Sequence, residues 1–262
     1  MSQAVDRRAR RVAAAVAVAA AASATACGAQ PDRTTPITVY AASPLIKSFT
    51  AIANEFEAAN PDYSVQFVFA GSSDLSTSLT DGAIADVYAS GNTDNMTAVT
   101  NAGLTAGAPV AFASNRLVIV VPAGNPGHVS SAADLSRPGL RVAVCDAGST
   151  CGTATELAER RTGVHLQPAA SEVTSRGVLK DVTAGEVDAG LLFMTDARQA
   201  GDAASIIDLP GSVDDVTSWI TTMKGSTLSG EATRFIDEVN SPTGKRILEE
   251  NGFTEPLKNS KG

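Results

Sequence analysis

The feature that most constrains this chain is a regular alternation, beginning at Ile37, of short apolar runs with segments whose apolar residues recur at helical spacing. Residues 37–41 read as a strand. Leu45, Phe49, Ile52, Ala53 and Phe56 then share one helical face, and Asn60-Pro61 ends that helix. A second strand over 65–70 leads through Gly71-Ser72-Ser73 into a helix carrying Leu75 and Leu79. A third strand over 85–89 precedes a helix over 92–101 that Gly103 closes. Strands separated by helices in this order imply a mainly parallel sheet covered by helices.

The pattern resumes with the strongly apolar run Leu117-Val118-Ile119-Val120-Val121. Further strands are expected over 140–145, 187–193, 206–209 and 216–223, with helices after Cys151 and over 171–183. Leu228, Phe235, Ile236 and Val239 fall on one helix, and a last helix runs from about Gly244 to Asn251. At 262 residues the chain is long enough for two cores. The reading is an α/β protein of two lobes, residues 37–114 with 224–262 in the first and 115–223 in the second. A ligand in such an arrangement sits between the lobes, at the carboxyl ends of parallel strands.

Residues 1–36 depart from this pattern. Arg7, Arg8, Arg10 and Arg11 form a basic start, 12–22 hold only Ala and Val, and Ser23-Ala24-Thr25-Ala26 are small residues before Cys27. That order reads as a secretory signal over 1–26, with an apolar run too short to span a bilayer. Cys27 closes a stretch similar to a bacterial lipobox, where a thioether-linked diacylglycerol would tether the mature chain to the outer face of the cytoplasmic membrane. The alternative is ordinary secretion with a free Cys27. Residues 27–36, polar and with two prolines, form a tether.

The whole chain has 20 basic and 28 acidic residues, and loss of the signal removes four Arg and one Asp, leaving a formal charge of −11. So acidic a chain argues against nucleic acid or an anionic membrane surface as partner. For a buried anion site, local dipoles matter more than screened global charge. Besides Cys27, only Cys145 and Cys151 occur. They are close enough in sequence to close a small loop, and export permits oxidation. The competing state is two free buried thiols. No Cys or His spacing fits a zinc site.

Several stretches resemble one family, the molybdate-binding proteins of ABC importers. They are Ile37-Thr38-Val39-Tyr40-Ala41-Ala42-Ser43, Phe69-Ala70-Gly71-Ser72-Ser73-Asp74-Leu75, and Gly82 to Ser90, with Ile247-Leu248-Glu249-Glu250-Asn251-Gly252-Phe253 at the end. The resemblance covers roughly 37–253. It implies a two-lobed periplasmic-binding-protein-like fold of type II, a ligand cleft between lobes, and permease and ATPase subunits as partners of a monomeric, non-enzymatic protein. It implies no cofactor, and a bound molybdate or tungstate held by hydroxyls and backbone N–H groups with no cation ligand. Ser72 matches a hydroxyl ligand at the start of the second helix. Gly152 and Ser175 match backbone donors at helix starts. Pro44 falls where the family commonly has a Ser ligand, which leaves Ser43, one residue earlier, as a replacement. Phe193 falls where a Tyr hydroxyl is common, and phenylalanine has no donor.

The residues carry the same chemistry on their own terms. A helix start leaves backbone N–H groups unpaired and is partly positive, so it suits an anion. Ser43-Pro44, Gly71-Ser72-Ser73 and Cys151-Gly152-Thr153 each open a helix after a strand. Ser at such positions otherwise serves as a cap. Asp74 reads as a first-turn acid, and Lys47, Arg116 and Arg176 as surface bases with a lesser claim on the ligand. A donor-only site suits a fully deprotonated dianion such as molybdate or sulfate, and a sulfonate or another small anion is an alternative ligand. An enzyme is the competing class, but His128 and His165 are the only histidines and no Gly-x-Ser-x-Gly elbow occurs. Ferric ion held by Tyr40, Tyr63 and Tyr88 is disfavoured because Tyr40 and Tyr88 lie in strands.

Overall fold

The computed structural model describes residues 34–147, 149–209 and 216–256. The signal expected over 1–26, the anchor Cys27 and most of the tether lie outside them. Thr35 and Pro36, expected in the tether, are already the first residues of β1 (Thr35–Ala42).

From β1 the chain alternates through α1 (Ile46–Ala59), β2 (Tyr63–Ala70), α2 (Ser72–Thr80), β3 (Val87–Ser90), α3 (Thr93–Asn101) and β4 (Val110–Asn115). It then crosses at Arg116 into β5 (Leu117–Pro122), β6 (Val142–Cys145), α4 (Thr150–Thr162), β7 (Ala170–Glu172), α5 (Ser175–Thr183), β8 (Ala189–Phe193), α6 (Met194–Ala197) and β9 (Ala204–Ile207). The return brings β10 (Val216–Thr222), α7 (Ser229–Asn240) and α8 (Pro242–Glu250).

Two five-stranded sheets result, in the orders β2-β1-β3-β10-β4 and β7-β6-β8-β5-β9. The orders correspond. In each, three parallel strands are followed by two antiparallel pairings, and the fourth strand is the one that has just crossed from the other sheet. The sheets are thus mixed, where the alternation implied mainly parallel ones. The order of strands along the chain does not reveal that the crossing strands insert antiparallel.

The strand over 216–222 was expected in the second lobe, within 115–223. It lies in the first sheet, hydrogen-bonded to β3 and β4. Burial explains the choice. Trp219 packs on one face of that sheet with Leu75, Tyr88 and Met96, while Ile220 packs on the other with Val39, Phe112 and Phe235. Two further strands escaped the sequence reading: β4, whose Ala and Ser residues weaken its apolar signal, and the three-residue β7, which overlaps the start of the segment read as helix 171–183.

The first lobe's main core is aromatic. Phe235 meets Phe49 at 6.0 Å and Phe56 at 5.6 Å, both edge-on, a favourable ring geometry. The second lobe's core is aliphatic, built around Val118 to Val121, Leu191 and Leu192. Cys145 and Cys151 are joined in a disulfide, with Cα atoms 5.6 Å apart. Among the described residues no helix is long and apolar enough to cross a membrane.

Candidate functional site

A cavity of about 110 Å³ lies where the carboxyl ends of β1, β2 and β3 meet the first turn of α4 and the end of β8. It is well below the roughly 300–1,000 Å³ of sites for larger organic ligands, and suits an ion of a few atoms. None of the described residues lining it is charged.

Ser72 forms part of the wall, at the start of α2. The N-cap there is Gly71, which has no side chain to cap the first N–H groups. The Ser72 hydroxyl accepts the Gly91 N–H at 2.9 Å, so its own proton remains for a ligand. Tyr88 braces the position by donating its hydroxyl to the Ser72 carbonyl at 3.2 Å. Burial raises the Tyr88 pKa, against a smaller opposing pull from Ser90, and keeps that donor protonated. Gly91 admits no larger residue without crowding: a Cβ there would stand 3.2 Å from the Ser72 hydroxyl and 3.3 Å from the Ala42 methyl.

Thr150, in the first turn of α4, faces the cavity from the other lobe. Its hydroxyl accepts a hydrogen bond from the Asn92 side-chain amide at 3.2 Å, a bond that bridges the lobes. Asn92 is itself fixed as the N-cap of α3, its side-chain oxygen taking the Asn95 N–H at 2.9 Å. Asn115, at the end of β4, adds an amide to the wall; it donates to Thr195 at 2.9 Å and accepts the Arg116 N–H, leaving one amide hydrogen. Thr150 and Asn115 escaped the sequence reading. Thr150 lies one residue before the Cys151-Gly152-Thr153 helix start that drew attention, and Asn115 carries no local signal.

Of the residues expected to hold the ligand, Ser72, Pro44 and Phe193 line the cavity, whereas Ser43, Gly152 and Ser175 do not. At that position Pro44 lines the wall and Ser43 does not. The Gly152 N–H is donated to the Ser149 hydroxyl at 3.0 Å, a helix cap. The need for glycine is steric: a Cβ at 152 would lie 1.9 Å from the Asp146 carbonyl oxygen. Ser175 is buried, its hydroxyl 3.5 Å from the Phe193 nitrogen and 3.9 Å from Cys145 Sγ.

The basic residues are engaged elsewhere. Arg116 pairs with Asp208 at 2.8 Å and Arg176 with Asp196 at 3.4 Å. Burial raises the Asp196 pKa, with Arg176, Gln199 and Lys47 pulling the other way. Lys47 is exposed on α1, off the cavity wall. Among the described residues no group of three or more His, Cys, Asp or Glu is placed to hold a metal ion.

Two lobes joined by crossing strands, with a small uncharged cavity whose largely apolar wall carries a few polar groups, fit a solute-binding protein. The model of the family described as bacterial extracellular solute-binding protein matches residues 37–254. The chain is 41% identical over 241 residues to the molybdate-binding protein ModA of Mycobacterium tuberculosis strain H37Rv, covering 88% of this chain and 92% of that one. The fold is shared with the substrate-binding domain of a putative molybdenum ABC transporter from Clostridium difficile, at a TM-score of 0.74 and 19% identity, covering 86% of this chain and all of that one. It is shared too with the Azotobacter vinelandii periplasmic molybdate-binding protein, at a TM-score of 0.71 and 16% identity, covering 84% of this chain and all of the other. The chain belongs to the ModA-type bacterial extracellular solute-binding proteins, transport components that are not enzymes.

Proposed function

We propose that this protein captures a tetrahedral oxyanion, molybdate or tungstate, outside the cytoplasm and delivers it to the permease and ATPase of an ABC importer. The observation that carries the reading is a set of side-chain donors from both lobes, Ser72, Thr150 and Asn115, around one small cavity whose described wall has no charge. A dianion that keeps no proton needs donors alone. Phosphate near neutral pH retains a proton and would call for a carboxylate acceptor. Hydrogen bonds from neutral donors to an ion gain strength in a site that excludes water. The name of the 41%-identical relative supports molybdate as the ligand.

Pro44 and Phe193 on the wall favour a second reading in which the same site takes sulfate or a sulfonate, since both positions lack a hydroxyl. Titration calorimetry against molybdate, tungstate, sulfate and phosphate separates the two. Tight binding of the first two alone is expected, and tight binding of sulfate alone overturns the preferred ligand. Export by the signal over 1–26 and lipidation at Cys27 complete the proposal. Labelled fatty acid should be incorporated by the wild type and lost in Cys27→Ala.

A further inference from the structure

We infer that Ser218 is a ligand-contacting hydroxyl of this site and takes over part of the role that Pro44 and Phe193 cannot fill; the inference rests on the oxyanion reading above. Ser218 lies on β10, the strand that returns from the second lobe into the first sheet. Only 2% of it is exposed, and it lines the cavity. Its hydroxyl makes no hydrogen bond to any described residue.

Its surroundings make that hydroxyl hard to explain by folding. Val216, Ser218 and Ile220 alternate onto one face of β10. Val216 lines the cavity too, and Ile220 is fully buried in the aromatic core. The Ser218 oxygen has no internal partner among the described residues, yet it is not one of the fully buried unpaired atoms, so what exposure it keeps is to the cavity it lines. The space left open to it is the cavity.

The register sets Ser218 among the other donors. Trp219 pairs with Ser90, which brings Ser218 level with Gly91, whose N–H holds the Ser72 hydroxyl. On the other side Ser218 pairs with Ala113 and Val216 with Asn115. The ladder then shifts by one residue between Ser218 and Trp219, skipping Phe112, and such irregularities often redirect side chains beside functional sites. Ser218 therefore lies between the strand end that holds Ser72 through Gly91 and the strand that carries Asn115, all three lining one cavity, and its O–H supplies a further donor to the ion.

The test uses the purified protein with sodium molybdate and sodium tungstate, in the wild type, Ser218→Ala and Ser218→Thr. The Trp219 fluorescence and the denaturation midpoint of each report on the neighbouring fold. Ser218→Ala is expected to weaken binding about tenfold or more, as for loss of a donor to a charged group. Its denaturation midpoint should be unchanged or higher, and Ser218→Thr, which keeps the hydroxyl, should recover much of the affinity. A lower midpoint with unchanged affinity would mean a structural role and overturn the inference. So would an unchanged affinity in a stable Ser218→Ala. Failure of the wild type to bind any of molybdate, tungstate or sulfate would overturn the oxyanion reading itself, and this inference with it.

Discussion

The starts of α2 and α4 look alike in sequence and differ in the fold. Both follow a strand and both present Gly and hydroxyl residues. At α4 the Ser149 hydroxyl caps the helix by taking the Gly152 N–H, and the disulfide holds the preceding loop against it. At α2 the N-cap is a glycine with nothing to offer, and the Ser72 hydroxyl is held from outside by Gly91 with its proton uncommitted. A helix start that caps itself is spent on stability, and one left without a side-chain cap is available for binding. From the second lobe it is Thr150, one residue beyond the cap, that lines the cavity, while the Gly152 N–H is taken up by Ser149.

That contrast can be broken at four points. Gly152→Ala should have the largest effect, because its Cβ would collide with the Asp146 carbonyl. A loss of about 3 kcal/mol of stability is expected in denaturant unfolding, at the upper end of overpacking costs. The protein that remains folded should still bind. Reduction of Cys145–Cys151 should cost about 2 kcal/mol, as expected of a short loop, measured by unfolding with and without reductant. Ser72→Ala should do the opposite of Gly152→Ala: molybdate affinity falls by about thirtyfold, equivalent to about 2 kcal/mol, while the unfolding midpoint barely moves. Ser149→Ala should cost about 1 kcal/mol of stability through the lost cap, with little change in calorimetric affinity. If Ser149→Ala weakened binding as much as Ser72→Ala did, the distinction between capped and uncapped starts would fail.

The two cores carry a related lesson. The aromatic cluster of the first lobe was visible in part, since Phe49 and Phe56 share a helical face with Leu45 and Ile52. Phe112 was not, because its strand β4 has only small neighbours and wins its place by pairing with β10. Ser72 was legible as a candidate because a Gly-Ser step after a strand is a local signal. Asn115 and Ser218 were not, because each lies in a strand without any local mark. They come to line one cavity only when the end of β4, the middle of β10 and the end of β3 are brought side by side.

By itself the sequence determined the alternation of strands and helices, the existence of two lobes and the position of one hydroxyl at a helix start. These follow from apolar periodicity and from the punctuation of Gly, Pro and Ser, all of which act over a few residues. Tertiary structure alone decided that β10 joins the first sheet, that Gly152 serves a cap and a close approach, and which donors share one cavity. Sheet neighbours and cavity walls are set by burial between segments far apart in the chain. Trp219 and Ile220 choose their sheet by the two cores they fill.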